Sequence, residues 1–197
     1  MRLLRMRPVL LCLGLLGPIA QATSPRQEML ALDAARSQAS FSVKVLWLIP
    51  LHGDFGKVQG TLDIDRFRGT ARVDAHIDTD DLRMRSRNYQ TWAKSPEFFD
   101  ARRYPQIHFV SDDFPLVRLS AGGALAGTLT LRGVAKPVRF RMLPSECARP
   151  LSGACAVRAE GDIRRGDFGM HSRRGTLTDK VALRLHIFVS PAPSPPP

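Results

Sequence analysis

The side chains best suited to chemistry are the five histidines, His52, His76, His108, His171 and His186. Imidazole ligates metals and shuttles protons near neutral pH. These five never fall at a metal-ligand spacing, and His76, His108 and His186 take the outward positions of alternating runs. His52 and His171 lie in loop-like segments and could meet only through the fold. Asp63, Asp65, Asp74, Asp78, Asp80 and Asp81 read as solvated strand faces and turns. No nucleophile elbow, dinucleotide fingerprint, P-loop or H-E-x-x-H pattern occurs. The sequence therefore names no catalytic residue, no metal ligand and no resident cofactor.

Cysteine is the next candidate. Cys12 falls in an amino-terminal apolar run, which leaves Cys147 and Cys155 as an even pair around a short loop containing Pro150 and Gly153. Their spacing is not the C-x-x-C of a redox pair, so a structural disulfide is the expectation. Closing so small a loop stabilises a fold by roughly 2–3 kcal/mol in the chain-entropy model.

The amino terminus agrees with an oxidising destination. Arg2, Arg5 and Arg7 precede the apolar run 8–20, and Ala20-Gln21-Ala22 supplies a small-x-small cleavage pattern. These are the parts of a secretory signal peptide, residues 1–22. The run is too short to span a bilayer and is broken by Gly14, Gly17 and Pro18. Export places disulfides where they persist.

Charge is the remaining chemical signal. The net charge is +11, carried by 24 arginines against five lysines. Local clusters are Arg83-Met84-Arg85-Ser86-Arg87, Arg102-Arg103, Arg164-Arg165 and Arg173-Arg174. Nucleic acid is set aside as a partner, because aromatics are not interleaved for stacking and an exported protein does not normally meet it. What stays open is attraction to anionic lipid head groups or a ligand phosphate, or a merely solubilising surface.

The elements that must position these residues have a period of two. Phe41, Val43, Val45 and Trp47 alternate with polar neighbours, as do Leu62 and Ile64, then Val73, Ala75 and Ile77. Ile107 and Phe109 follow, then Leu125, Leu129 and Leu131, then Val138, Phe140 and Met142. Val157, Ala159 and Ile163, and the odd positions 181–189, complete the set. Apolar-in, polar-out alternation marks antiparallel strands with one wet face. About eight strands separated by turn signals (Gly53-Asp54, Arg68-Gly69, Gly122-Gly123, Gly133, Ser152-Gly153) predict an all-β, eight-stranded antiparallel barrel over residues 23–190. Its one long interruption, residues 80–104, carries a predicted helix start at Ser95-Pro96, with Ser95 as cap and Trp92, Phe98 and Phe99 as apolar cover. That segment is either a lid on the barrel or a surface helix that fills the end of the core. Residues 191–197 form a proline-rich tail, expected to be extended and disordered.

Four motifs in order resemble a known family. His52 with Val58 and Gly60 is similar to its H-x5-V-x-G segment. Ser95-Pro96-Glu97-Phe98-Phe99-Asp100 with Tyr104-Pro105-Gln106-Ile107-His108-Phe109 is similar to its S-P-x-F-F-D…Y-P-x-I-x-F signature. The hairpin from Gly127 to Val138 resembles G-x-L-T-L-R-G-V-T-K-P-V, and Ile163 to Met170 resembles I-x-R-x-D-F-G-M. Together they look like the YceI-like family.

That resemblance implies a lipocalin-like barrel with a helical excursion, in a periplasmic protein. It also implies an amphiphile in the barrel, a polyisoprenoid or isoprenoid quinone, bound without catalysis. On this reading Phe41, Val43, Val45, Trp47, Ile107, Phe109, Leu129, Leu131, Phe140, Ile163, Leu183 and Leu185 line the pocket, and Trp92, Phe98 and Phe99 close it. Arg85 and Arg87 are the candidates for an anionic head group. A membrane surface or membrane protein is a further candidate partner. Where many relatives have R-D-x-H-L before the S-P-x-F-F-D segment, this chain has Tyr89-Gln90-Thr91-Trp92-Ala93, so the polar contacts of those relatives do not carry over. Two other readings stand beside the carrier: a filled core with no ligand, and a basic adaptor that docks on anionic lipids or an acidic partner.

Overall fold

The computed structural model describes residues 27–191. The predicted signal peptide and the proline-rich tail beyond Pro191 lie outside the described residues. Thirteen strands are described: β1 Gln27–Leu32, β2 Gln38–Val45, β3 Ile49–Phe55, β4 Gln59–Asp65, β5 Thr70–Asp78, β6 Leu82–Arg83, β7 Gln106–Ser111, β8 Phe114–Pro115, β9 Gly123–Leu131, β10 Val134–Met142, β11 Val157–Arg164, β12 Leu177–Ile187 and β13 Val189–Pro191. Two helices, α1 Arg87–Lys94 and α2 Arg118–Ala121, join them.

Every strand belongs to one antiparallel sheet in the order β13-β1-β4-β5-β7-β9-β10-β11-β12-β2-β3-β6, with β8 on β5. Only Phe188 separates β12 from β13. β12 pairs with β11 and β2, whereas β13 pairs with β1 through Leu32 to Val189. The sheet therefore curls back on itself: β1, β4, β5, β7, β9, β10, β11 and the bent β12–β13 form a ring of eight, and β2, β3 and β6 continue past it. Ser37, fully buried, fixes the bend; its hydroxyl accepts from the Phe188 N–H at 2.9 Å and donates to the Phe188 carbonyl at 3.2 Å. Alternation sets the faces. Leu125, Leu129 and Leu131 of β9 and Leu30 and Leu32 of β1 turn into one core, while their neighbours face water.

The lipocalin-like antiparallel class is as expected, and three details of the expectation are corrected. The ring takes β1, not β2, as a member, and β1, β3, β6, β8 and β13 add to the eight alternating runs. Gly53-Asp54 is no turn, and His52 is no loop residue. All three lie inside β3, where Gly53 pairs with Phe41 and a Cβ on Gly53 would run into the Phe41 ring. The chain reverses earlier, at residues 46–48. Finally, the helix of the excursion ends at Ser95 instead of beginning there. Its amino-terminal cap is Ser86, whose hydroxyl accepts from the Tyr89 N–H. Pro96 drives Ser95 into an extended conformation with ψ of 167°, which stops α1.

Candidate functional site

The curled sheet encloses a cavity of about 200 Å³. Phe41, Val43, Ile107, Phe109, Leu129, Leu131, Phe140, Ile163, Leu183 and Leu185 contribute to its wall, as do Trp92, Phe98 and Phe99 from the excursion. Val45 packs against the core beside the cavity without lining it. Trp47 does not belong on the inner face. It sits in the β2–β3 turn with φ of 65° and is 65% exposed, because the alternation of β2 ends at Val45.

The cover is an aromatic network. Phe99 meets Phe41 and Phe55 at centroid distances of 5.7 and 5.5 Å, and Phe98 meets Trp92 at 4.4 Å. Edge-to-face contacts of this kind add about 0.5–1.5 kcal/mol each beyond area burial. The turn that carries Phe98 and Phe99 is pinned from two sides. The Phe99 N–H donates to the Ala93 carbonyl at 2.9 Å, and the Arg132 guanidinium, in the β9–β10 turn, donates to the carbonyls of Pro96 and Phe98. Trp92 donates its indole N–H to Glu97 at 3.0 Å. Tyr89 also borders the cavity yet is 46% exposed, so α1 forms its rim toward solvent. Arg85, just before α1, and Arg87, its first residue, are exposed between the lining residues Met84 and Tyr89 in sequence.

Among the described residues one charged side chain lines the cavity, and the arginine clusters of the sequence suggest the surface for it. Arg165, 2% exposed, follows β11 in a 3-10 turn. Its Nε donates to the Thr178 carbonyl at 3.0 Å, its Nη1 to Met170 and Ser172 at 2.8 and 2.7 Å, and its Nη2 to Leu177 at 3.3 Å. Burial lowers its pKa from the ordinary arginine value, with Asp179 opposing and Arg174 reinforcing the shift. A guanidinium nevertheless stays charged at neutral pH. The signal was available in the period: Ala159, Ile163 and Arg165 continue one inward row, and the Arg164-Arg165 pair splits across the sheet. The sequence does not mark Leu51 and Phe55, which lie in β3, or Met84, which directly follows β6, because neither strand shows an alternating run.

Polar chemistry is otherwise sparse here. Among the described residues no three His, Cys, Asp or Glu side chains come together at metal-binding distance. His108 donates an imidazole N–H across the outer face to the Asp74 carboxylate at 2.7 Å, away from the cavity. The sulfurs of Cys147 and Cys155 are bonded, with Cα atoms 6.4 Å apart.

Comparison with known proteins adds to this geometry. The model of the YceI-like domain matches residues 30–189. The UPF0312 protein ECA1782 of Pectobacterium atrosepticum is 27% identical over 92% of this chain and 96% of its own. Protein YceI of Salmonella arizonae is 28% identical over 75% of this chain and 78% of its own. Among solved structures, Burkholderia cenocepacia BcnA superposes with a TM-score of 0.66 at 22% identity, covering 81% of this chain and 99% of that one. A polyisoprenoid binding domain from Saccharophagus degradans superposes with a TM-score of 0.63 at 13% identity, covering 84% and 99%. Both superpositions are likenesses of fold.

Proposed function

Because the chain belongs to the YceI-like domain family, we propose that it is a non-catalytic binding protein for a long-chain amphiphile, with a polyisoprenoid or isoprenoid-quinone tail inside the curled sheet and the head group at the α1 rim. The observation that carries this reading is the cavity itself. Among the described residues its wall is apolar except for Ser40, Arg165 and the polar ends of Tyr89 and Trp92 at the rim, and four backbone carbonyls already occupy the Arg165 guanidinium. An apolar cavity of roughly 150 Å³ already takes up benzene, and water gains no partners in such a space. Burying a prenyl tail contributes about 0.8 kcal/mol per CH₂-sized unit, so affinity needs little polar recognition. The fold likeness to a domain described as polyisoprenoid binding supports the same ligand class. On this reading Arg85 and Arg87, both exposed and close in sequence to the lining residues Met84 and Tyr89, would meet an anionic head group.

The signal-peptide pattern of residues 1–22 and the bonded pair Cys147–Cys155 support a periplasmic site of action. The test is native mass spectrometry of the protein purified from its own periplasm, followed by organic extraction. A stoichiometric hydrophobic adduct that survives high salt is expected, since screening weakens charge contacts but not a tail in a dry cavity. A clean apo mass, together with no uptake of added quinones or polyprenyl lipids, would overturn the reading.

A further inference from the structure

The tip of the β2–β3 hairpin presents four large apolar side chains in a row to solvent. Leu46, Trp47, Leu48 and Ile49 are 54%, 65%, 82% and 61% exposed. Single exposed apolar residues need no explanation, whereas a contiguous group marks an interaction site. The backbone makes the arrangement more unusual. Leu46 and Trp47 have φ of 49° and 65°, and the Leu48 N–H donates to the Val45 carbonyl at 3.1 Å across them. Hairpin turns with two left-handed residues are normally built from Asn and Gly, since a Cβ there costs about 1–2 kcal/mol. Bulky side chains held in that conformation, away from the core, point to a role outside it.

The surroundings are basic and lead to the cavity. Lys44 is exposed near the end of β2, two residues before Leu46. The Leu46 N–H donates to the Thr176 carbonyl at 2.7 Å, which sets the tip against residues 171–176, where Arg173 and Arg174 are exposed. The Arg173 guanidinium lies 5.7 Å from the centre of the Trp92 ring, and Trp92 lines the cavity at the α1 rim. Apolar tip, arginines and rim are thus contiguous.

We propose that this tip docks the protein on an anionic lipid bilayer. Residues 46–49 enter the boundary between head groups and acyl chains, Lys44, Arg173 and Arg174 meet lipid phosphates, and the α1 rim is brought to the membrane surface. Apolar burial plus charge attraction is the pattern of interfacial membrane binding. A second copy of the chain is the weaker occupant, because two strongly basic proteins repel and each tip carries its own cations. The proposal draws on the carrier reading only for its purpose, namely exchange of cargo with a membrane; docking itself requires no cargo.

The experiment is co-sedimentation of the full mature protein with vesicles of phosphatidylethanolamine and phosphatidylglycerol, against vesicles of phosphatidylcholine alone. A Trp92→Phe variant leaves Trp47 as the sole tryptophan, and its emission should shift to the blue on the anionic vesicles. Leu48→Asp combined with Ile49→Asp, and separately Arg173→Ala with Arg174→Ala, should each weaken association about tenfold or more. Because Leu48 and Ile49 lie outside the core and away from the cavity wall, thermal unfolding of their double variant and its adduct in native mass spectrometry should stay as in the parent. Absence of binding to anionic vesicles, or equal binding by the tip variants, would overturn the proposal. A dimer in size-exclusion chromatography that Leu48→Asp dissolves, without vesicle binding, would reassign the tip to a second copy. Neither result touches the cargo measurement, and a cargo-free protein that still docks would separate the two readings in the other direction.

Discussion

The indole of Trp92 and the ring of Phe98 meet edge to face with centroids 4.4 Å apart, and this contact joins α1 to the turn that follows it. Phe98 is buried and Trp92 only half-buried, so the pair links the core to the rim. Phe98→Ala should cost about 3–5 kcal/mol as a core truncation. Trp92→Ala should cost less but release bound amphiphile faster, because it opens the cover. A double-mutant cycle in urea unfolding should return a coupling near 1 kcal/mol. Independent, additive effects would mean that the two rings touch without holding the cover together.

Arg165 predicts a stability effect out of proportion to a single side chain. Replacing it with Met removes the donor from the carbonyls of Met170, Ser172, Leu177 and Thr178 at once. Leaving buried acceptors unpaired costs about 1–3 kcal/mol each when water cannot reach them, so a loss of about 3 kcal/mol or more is expected. Arg165→Lys should recover only part of it, since an ammonium offers three donors from one point where the guanidinium spans four carbonyls. The readout is the urea midpoint at unchanged m-value. An unfolding free energy within about 0.3 kcal/mol of the parent's would show that the carbonyls find other partners.

The alternating runs were legible because each has one wet face, and β9 and β12 needed nothing more than their period. What the sequence concealed had local physical causes. Gly53 looks like a turn residue, but it is small to admit the Phe41 ring. Pro50 looks like a strand breaker, but β6 flanks the far side of β3 only at Asp54 and Phe55, so Pro50 stands at an open edge. Ser95-Pro96 carries the composition of a helix start, and the same proline that suits a first helical turn instead ends α1. Trp47 continues the inward period of Val43 and Val45 on paper, yet the hairpin turns first. The lining of the site was therefore readable from faces, whereas its one buried cation and its exposed tip depended on where strands end.

Two glycines of the β4–β5 hairpin separate conformational strain from lack of space. Gly60 has φ of 139°, and a Cβ there would stand 2.9 Å from the Ala75 Cα on β5. Gly60→Ala should push β4 away from β5 and destabilise the fold by about 2–3 kcal/mol or more. Gly69 has φ of 65° with nothing within 4 Å of an added Cβ. Gly69→Ala should cost only the left-handed penalty, about 1 kcal/mol. Thermal unfolding of the two variants checks the order. Equal losses would mean that backbone conformation alone governs both sites.

The bond between Cys147 and Cys155 should matter for stability and not for the cavity. It closes a loop of eight residues' separation between β10 and β11, and the cavity wall resumes only at Met142 and Val157, outside that loop. Chain entropy assigns such a closure about 2–3 kcal/mol, an upper value here because the loop lies at the margin of the sheet. Reduction with dithiothreitol, or Cys147→Ser with Cys155→Ser, should lower the unfolding midpoint accordingly. Native mass spectrometry of the same samples should find the amphiphile content unchanged as long as the protein stays folded. Loss of the adduct from a folded, reduced protein would mean that the β10–β11 loop takes part in holding the ring of strands closed around the cavity, and the site would then extend beyond the α1 rim.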